Sequence, residues 1–310
     1  MMTFLKSTAR GLETVAELTC GSWINVTDPD AGEIAYLQQT VGIPRDFVTH
    51  SLDVHERART EKEDGMTLIV VRTPHFQGGT ARAPYMTAPL GIILTDKFIV
   101  TISKMATGVV QELATGQVKD LSTANRHRFV LHALFNTAAS YLLHLQEINA
   151  AVEAIEDKLQ HSLRNREVQA LLEHQKSLVY FTTALKSNEL MMERLQKSRL
   201  FDTDPDAADF LEDVFTENHQ AIEMTNIAGN ILSQMMDAFA SIVSNNLNAV
   251  MKFLASFTII LTFPTMVASF YGMNVGLPLQ NSPHAFALTL AASVGLSLAV
   301  ALIFWKKDWF

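Results

Sequence analysis

Charged residues are missing from one long interval of this sequence. No Asp, Glu, Lys or Arg occurs between Lys252 and Lys306. Two apolar blocks, 253–271 and 285–305, fill most of that interval. Each block has about the 20 residues that a helix needs to cross a bilayer. We therefore predict an integral membrane protein with two membrane-spanning helices, a connecting loop over 272–284 and a large soluble part before them.

Other absences exclude whole classes of function. Cys20 is the only cysteine, so an intramolecular disulfide and a cysteine-rich zinc site are excluded. The net charge of −8 gives no electrostatic support for a nucleic-acid partner. There is no P-loop or GxGxxG motif, and the 10 histidines show no HExxH spacing, so we expect neither an enzyme nor an organic cofactor. Residues 1–10 lack the apolar run of a signal peptide, so we expect a cytosolic soluble part.

Positive residues flank the two apolar blocks on one side of the membrane. Lys252 precedes the first block and Lys306-Lys307 follow the second, whereas the loop between the blocks has no Lys or Arg. By the positive-inside rule, both ends of the chain lie in the cytoplasm and the loop lies outside. We expect a two-span protein of the cytoplasmic (inner) membrane, surrounded by its lipid, with a basic cytoplasmic tail over 306–310.

The first part of the chain, 1–122, has the pattern of a cytosolic α/β domain. Runs rich in β-branched residues alternate with turn formers. The predicted elements are strands at 22–26, 66–72, 91–94 and 98–102, a hairpin turn at 95–97, short helices at 34–41 and 45–52, and a flexible loop at 77–87. We expect Pro74 to end the second of these strands.

Helical periodicity takes over after residue 122. The predicted segments are helices at about 123–163 and 167–199, which form a hairpin over 123–205 packed on the α/β domain, and a stalk helix over 206–252. The stalk helix begins near Ala207 and meets no proline before Pro264. If it continues to Tyr271 it is about 100 Å long at 1.5 Å per residue. Such a helix would carry movement from the cytosolic part into the membrane.

One face of the first apolar block is small and hydroxylated. In steps of three and four residues, this polar stripe contains Asn248, Met251, Ala255, Thr258, Thr262, Thr265 and Ser269. Close packing of membrane helices explains such a stripe, and so does contact with water. An asparagine at each end, Asn248 and Asn274, favours contact with water. Because two spans cannot enclose a pore, a pore requires several chains with the first span of each at the centre.

Further residues of the first block suit a pore. Met251 and Leu254 would form apolar collars near the inner mouth, and apolar constrictions close pores by excluding water. Pro264 frees a backbone carbonyl that a pore could use. The block contains no carboxylate, and magnesium gives up its water reluctantly. We therefore expect passage of a hydrated or partly hydrated cation.

The motif at the outer end of the first block resembles that of a known family. Tyr271-Gly272-Met273-Asn274 follows Pro264-Thr265-Met266-Val267-Ala268-Ser269 and precedes a second span with a basic and aromatic tail. In this position it resembles the Gly-Met-Asn motif of the CorA-type divalent-cation channels. The resemblance implies an α+β cytosolic domain, an α/β/α sandwich, followed by a long stalk helix and two transmembrane helices.

The resemblance also implies an assembly and a mechanism. Five copies would form a homopentameric funnel with an axial pore, and Mg²⁺ would flow inward down its electrochemical gradient. Gly272, Met273 and Asn274 would form the outer selectivity filter, and Asn248 would lie at the inner end of the pore. The segment 275–279 lacks the acidic residue that many members carry, which weakens the attraction of cations to the outer mouth.

Regulation by cytosolic Mg²⁺ bound between subunits is a further implication of the resemblance. One family site uses an aspartate of the stalk, which matches Asp213 here. Its usual partner is an acidic pair of the adjacent subunit, and that pair falls on Thr49-His50 in this sequence. Asp53, His50 and Glu212 are therefore weaker candidate ligands beside Asp213.

Two other functions stay open at this point. A branch resembling ZntB transports zinc, nickel or cobalt, but it usually varies the methionine of the motif, so Met273 argues against it. A two-span scaffold or sensor without transport is the other alternative, and the polar stripe and the uncharged motif weigh against it. Flux of several divalent ions through the purified protein distinguishes the three functions.

Overall fold

The chain folds into two compact units, 1–234 and 235–310, in a computed structural model. The structure describes residues 1–9, 11–79, 81–116, 118–161, 165–198, 200–201, 207–278, 282–307 and 309. The first unit contains a β-sheet and the helices around it. The second contains the two apolar blocks of the sequence, 253–271 and 285–305.

A seven-stranded mixed sheet forms the centre of the first unit. Its strands are β1 (Met2–Thr8), β2 (Gly11–Thr14), β3 (Trp23–Thr27), β4 (Arg59–Glu63), β5 (Met66–Phe76), β6 (Tyr85–Leu94) and β7 (Ile99–Ser103). Their order across the sheet is β2-β1-β3-β7-β6-β5-β4. Neighbouring strands are antiparallel except β3 and β7, which are parallel and join the β1–β3 part to the β4–β7 meander.

Helices cover both faces of this sheet. The helices of the described chain are α1 (Ala31–Tyr36), α2 (Arg45–Leu52), α3 (Gly108–Ala114), α4 (Arg126–His161), α5 (Asn165–Lys197), α6 (Ala207–Tyr271) and α7 (Ala285–Lys306), with a π-helical turn at Leu37–Val41. The π-helical turn and α2 bury apolar side chains against one face of the sheet. Helices α3 to α5 and the start of α6 cover the other face. The predicted α/β/α sandwich is therefore confirmed.

The two apolar cores follow from the alternation of side chains along each strand. In β5, Leu68 and Val70 belong to the core beneath α2. Ile69 and Val71 belong to the core beneath α4 and α5. All four side chains are fully buried, which is why the run reads as continuously apolar instead of alternating.

Local sequence signals position the shorter helices. The Asp30 carboxylate accepts the Glu33 N–H at 2.8 Å, and the Glu33 carboxylate accepts the Asp30 N–H at 3.2 Å, which is a capping box at the start of α1. A side chain at Gly91 of β6 would overlap the Ser51 side chain of α2. Glycine at that position therefore lets α2 lie directly on the sheet.

Pro74 does not end β5, contrary to the sequence prediction. The proline lies at a position where, among the described residues, β5 has no neighbouring strand on the side to which its nitrogen points. The N–H of Arg72 points away from β6 and donates to the Asn188 side chain at 2.8 Å. Pro74, two residues on, directs its nitrogen to the same side. Since β4 pairs only with Met66–Val70, the proline removes no hydrogen bond between strands.

The predicted loop over 77–87 is also too long. β6 begins at Tyr85, which pairs with Phe76 at the end of the extended β5. The prediction missed β1, β2, β4 and α3 altogether. Three of these elements are strands with many polar residues, such as Arg59–Glu63 (RTEKE), and they lack the apolar run on which the other strand predictions depended.

A partly buried arginine joins the layers of the first unit. The Arg72 guanidinium donates to the backbone oxygens of Val54 (2.7 Å), Glu56 (2.9 Å) and Thr87 (2.6 Å). The Arg72 carbonyl accepts the Tyr141 hydroxyl at 3.0 Å and the Asn188 amide at 2.8 Å. Burial lowers the pKa of Arg72. This one residue connects two strands, the segment after α2, and helices α4 and α5.

The second unit consists of the rest of α6, the described part of the loop after it, and α7. Helix α6 has 65 residues and continues through Pro264, as predicted for a helix from Ala207 to Tyr271. Helix α7 has 22 residues. The two helices contact each other within this unit through hydroxyl-bearing and apolar side chains.

Candidate ion pathway

Helices α6 and α7 each contain a segment long and apolar enough to cross a membrane. Most apolar side chains in these segments are exposed, for example Phe253 (54% exposed) and Leu298 (59%). A core helix of a soluble protein buries such side chains. Their exposure fits contact with lipid or with other copies of the chain.

One face of α6 packs against α7. Ser256 is fully buried, and the half-buried residues after it on α6 are Ile260, Phe263, Pro264 and Val267. These positions are spaced by four, three, one and three residues, which is one side of a helix. On α7, Ser293 is 7% exposed, and the Ser297 hydroxyl lies 3.2 Å from the Ile260 carbonyl oxygen of α6. Small hydroxyl residues thus form the contact between the two candidate spans.

The predicted polar stripe lies on the opposite face of α6. Its members Asn248, Met251, Ala255, Thr258, Thr262, Thr265 and Ser269 are all exposed, as is Leu254. At about 100° per residue, the stripe and the α7-facing side point in roughly opposite directions. Packing against α7 therefore does not explain the stripe. The stripe is free for water, lipid or another copy of the chain.

The threonines of the stripe are bonded to their own helix. The hydroxyls of Thr258, Thr262 and Thr265 donate to the carbonyl oxygens of Leu254 (2.8 Å), Thr258 (2.8 Å) and Leu261 (3.0 Å). Each hydroxyl proton is thereby used, and the oxygen keeps lone pairs that can accept. A water molecule bound to a cation presents its hydrogens outward. The stripe thus has acceptors suited to the hydration shell of a cation.

The carbonyl freed by Pro264 is not available to a pore, contrary to the sequence prediction. Pro264 has no N–H, so it leaves the carbonyl four residues earlier, that of Ile260, without its helical donor. The Ser297 hydroxyl of α7 lies 3.2 Å from that oxygen. The carbonyl is on the side of α6 that faces α7, away from the polar stripe.

The second span has a polar side of its own. Thr289, Ser293 and Ser297 form a hydroxyl ridge along it, and Ser293 and Ser297 contact or face α6. The many leucines of α7 predict contact with lipid, and they conceal the polar side to which Ser297 belongs. The spacing of these three residues, each four after the last, is the signal that predicts a shared face.

The Gly-Met-Asn motif forms the turn directly after α6. The Gly272 N–H donates to Ala268 O at 3.0 Å and the Met273 N–H to Phe270 O at 3.2 Å. Gly272, Met273 and Asn274 are all exposed. The Tyr271 hydroxyl lies 3.4 Å from the Pro278 carbonyl oxygen, which brings the described part of the loop back to the end of the helix.

The stalk aspartate predicted to bind metal lies on the surface of the first unit. Asp213 and Glu212 are exposed on α6, between the buried residues Leu211 and Val214. The helix is thus held to the core by its apolar side while both carboxylates point to the outside. Their position suits a ligand supplied partly by another molecule.

The two candidates near the end of α2 have partners within the chain. His50 Nδ1 lies 2.6 Å from a guanidinium nitrogen of Arg59, and Arg59 pairs with Glu61 at 2.9 Å. Asp53 is exposed and accepts the His55 N–H at 2.9 Å. A neighbouring guanidinium disfavours a second cation at His50, so Asp53 is the better ligand of the two.

Within one chain, these candidates do not assemble a metal centre. Across the described ranges, no three His, Cys, Asp or Glu side chains lie close enough together to hold a metal ion. The predicted regulatory residues Asp213, Glu212, Asp53 and His50 are therefore not brought together in a single copy.

Comparisons with known proteins agree with this architecture over the whole chain. Residues 21–307 match the family described as CorA-like Mg2+ transporter protein. The Cobalt/magnesium transport protein CorA of Methanocaldococcus jannaschii is 28% identical over 292 residues, which cover 93% of this chain and 90% of that protein. The protein of the same name from Thermotoga maritima is 21% identical over 293 residues, covering 93% and 83%.

Solved structures show the same fold. The complete structure of the CorA magnesium transporter from Methanocaldococcus jannaschii has a TM-score of 0.86 and 25% identity, and covers 100% of this chain and 99% of that one. The ZntB cytoplasmic domain from Vibrio parahaemolyticus has a TM-score of 0.61 and 11% identity, covering 78% and 98%. At that identity the second likeness concerns the fold alone.

An α/β/α unit, a long helix and two apolar spans joined by a Gly-Met-Asn turn define an inner-membrane transporter of divalent cations. The match over residues 21–307 places the chain within that class. It belongs to the CorA-like Mg2+ transporter family.

Proposed function

We propose that this protein is a Mg²⁺ channel in which copies of the first span surround an axial pore. The observation that carries this proposal is the position of the polar stripe, on the face of α6 opposite α7. Two spans per chain cannot enclose a pore, so the stripes of several chains must meet at a common axis. The family resemblance supports five copies.

Passage of a hydrated ion fits the chemistry of the stripe. Between Lys252 and Lys306 there is no carboxylate to replace the waters of Mg²⁺. The threonine oxygens accept from those waters, and the exposed Asn274 amide lies at the outer end. We assign the selectivity filter to Gly272, Met273 and Asn274. Exposed apolar residues near the inner end, Met251 (58% exposed) and Leu254 (56%), would form the gate.

The proposed topology follows from the charges that flank the spans. The first unit and the stalk, 206–252, lie in the cytosol, and the spans are 253–271 and 285–305. The loop 272–284 lies outside and the tail 306–310 inside. Influx is then driven by the ion gradient and an inside-negative potential, which is worth about 4.6 kcal/mol per 100 mV for a divalent ion.

Flux into liposomes tests the pore. The purified full-length protein should admit Mg²⁺, and Asn274→Ala should lower the flux at least about tenfold, the effect of losing one interaction of about 1.4 kcal/mol. Asn149→Ala, at an exposed asparagine of α4, should leave it unchanged. Equal flux in the two variants would remove the motif from the mechanism.

Regulation by cytosolic Mg²⁺ is a separate part of the proposal. Asp213 would bind the ion together with a neighbouring copy, with Asp53 as its best candidate partner. Asp213→Ala should keep the channel open at high internal Mg²⁺, whereas Glu223→Ala, at another exposed stalk carboxylate, should close normally. Normal closure of the Asp213 variant would place the sensor elsewhere.

Cobalt is the second candidate ion, because both curated relatives carry it in their names. Competition decides the preference. Mg²⁺ flux should be reduced by an excess of Co²⁺ if both ions share the pore. Stronger inhibition and faster uptake of Zn²⁺ or Ni²⁺ than of Mg²⁺ would overturn the assignment to Mg²⁺ and favour the ZntB-like alternative.

A further inference from the structure

A proline interrupts the hydrogen bonds of α6 in the middle of its apolar segment. Pro264 lies inside the helix and offers no N–H to the carbonyl of Ile260. In an apolar environment an unsatisfied backbone carbonyl is costly, since no water is present to replace the lost donor. Either a donor from another element must bond the Ile260 oxygen, or α6 must bend to bring the oxygen to a donor.

A residue of the other span lies within hydrogen-bond distance of this oxygen. The Ser297 oxygen of α7 lies 3.2 Å from Ile260 O and 3.0 Å from Ser293 O. A serine hydroxyl has one proton, which either carbonyl can accept, and Ile260 O is the one that lacks its helical donor. Ser297 is half-buried in the contact between α6 and α7.

A nearby serine provides an internal comparison. Ser293 lies one turn before Ser297 on the same face of α7 and is 7% exposed. Its hydroxyl donates to Thr289 O at 2.9 Å, within its own helix. The two serines therefore share residue type, helix and face, but the bond to α6 belongs to Ser297.

The polar stripe depends on the helix keeping its course across the proline. Thr258 and Thr262 precede Pro264, and Thr265 and Ser269 follow it, all exposed on the face opposite α7. If α6 bends at Pro264, the two halves of the stripe no longer point to one axis. A hydrogen bond between the two helices at this point would limit that bend.

We propose that Ser297 is a positioning residue of the channel: its hydroxyl replaces the hydrogen bond that Pro264 removes and keeps the two halves of the pore-lining stripe aligned. The inference rests on the proposed function, because it takes the stripe to line the pore. It assigns to the second span a direct part in shaping the pore, beyond contact with lipid.

An isosteric pair of variants tests this role in full-length protein reconstituted into liposomes. Ser297→Thr keeps the hydroxyl and Ser297→Val replaces it with a methyl group of the same shape. We expect Mg²⁺ flux close to that of the unmodified protein for Ser297→Thr. For Ser297→Val we expect a loss of roughly two- to tenfold, the range of one net hydrogen bond. Ser293→Ala should stay within about twofold.

A second cycle asks whether the effect passes through the proline. Pro264→Ala restores the N–H of residue 264, which the Ile260 carbonyl can accept. Adding Ser297→Val to this variant should therefore cause no further loss of Mg²⁺ flux. An equal loss in both backgrounds would overturn the proposal, and so would equal flux for Ser297→Thr and Ser297→Val. Absence of flux in the unmodified protein would overturn the proposed function and this inference with it. Flux in the unmodified protein with no difference within the pair overturns the inference alone.

Discussion

Polar side chains find their partners in different places in the two units. In the first unit, Arg72 donates to three backbone oxygens from separate segments, and Asn188 reaches across 116 positions of sequence to bond its backbone. In the second unit, the hydroxyls of Thr258 and Thr262 donate to carbonyls one turn earlier. The Arg72 hydrogen bonds thus join distant segments of the first unit, whereas the stripe threonines of the second unit bond within their own helix and leave their oxygens exposed.

Apolar side chains show the same contrast. Trp23, Phe129 and Tyr141 of the first unit are fully buried. In the second unit Phe257, Leu261 and Phe270 are each more than half exposed. The first unit therefore buries its large apolar side chains within the single chain. The second leaves its own exposed, as candidate membrane spans do.

Of the changes predicted here, loss of the Arg72 hydrogen bonds should reduce the stability of the chain the most. A small reduction would contradict the contrast between the two units. Arg72→Met leaves the oxygens of Val54, Glu56 and Thr87 without their donor. These hydrogen bonds are partly buried, so at about 1 kcal/mol for each lost bond we expect a loss of about 3 kcal/mol in the free energy of unfolding. Thermal unfolding of the full chain in detergent measures it.

The matched control for that change is an exposed cation. Lys104 pairs with Asp28 at the surface, with 52% and 63% of the two side chains exposed. Lys104→Met should lower the unfolding temperature far less than Arg72→Met, because exposed ion pairs contribute little to stability. If the two variants unfolded at the same temperature, the network would not be what holds the first unit together.

Substitution of a stripe threonine tests the contrast between the units from the side of the second unit. Thr262→Val removes an acceptor without changing shape, so we expect a roughly three- to tenfold loss of Mg²⁺ flux, equivalent to about 1 kcal/mol. Folding should change little, because the side chain is exposed. Thr289→Val on α7, whose hydroxyl has the same kind of bond to Ala285 at 2.7 Å, should leave the flux within about twofold. The opposite ranking would place α7 at the pore.

Acidification should give the smallest effect, confined to the first unit. Burial lowers the pKa of His132, which packs at 4.8 Å against the Phe210 ring of α6, and the nearby Arg128 lowers it further. The folded chain therefore takes up a proton at His132 only at a lower pH than the unfolded chain does. Stability should fall as the pH drops below the ordinary histidine pKa of about 6.5, by less than about 1.4 kcal/mol per pH unit.

A variant isolates the contribution of this histidine. In His132→Gln the decrease in unfolding temperature between about pH 7.5 and about pH 5.5 should be smaller than in the unmodified protein. His55→Gln, at an exposed histidine, should show the unmodified decrease. His174 is buried with its pKa lowered in the same direction, so part of the decrease should remain in His132→Gln.

The sequence predicted the features that depend on composition over many residues. The two spans were visible because more than 50 residues without a charged side chain cannot belong to a soluble surface. The continuous helix α6 was visible because no breaker occurs before Pro264. The polar stripe was predicted from helical spacing, and its exposure in the structure separates it from the contact with α7. Its role in conduction stays a prediction.

Features that depend on contacts between distant residues could not be predicted. Nothing near Arg72 indicates that Asn188 is its partner. The role of Pro74 depends on where β4 ends, which its own sequence does not specify. Ser297 is a further example, since the sequence of an apolar helix does not indicate whether one of its serines faces lipid or a carbonyl of a neighbouring helix.

The interval without charged residues also determines what the membrane potential can act on. One elementary charge moved across 100 mV changes the free energy by about 2.3 kcal/mol, and voltage sensors use such charges on their helices. Between Lys252 and Lys306 this chain has no Asp, Glu, Lys or Arg to move. Within this interval the membrane potential therefore has no charged side chain to move, and under the proposed function it acts on the permeating ion instead.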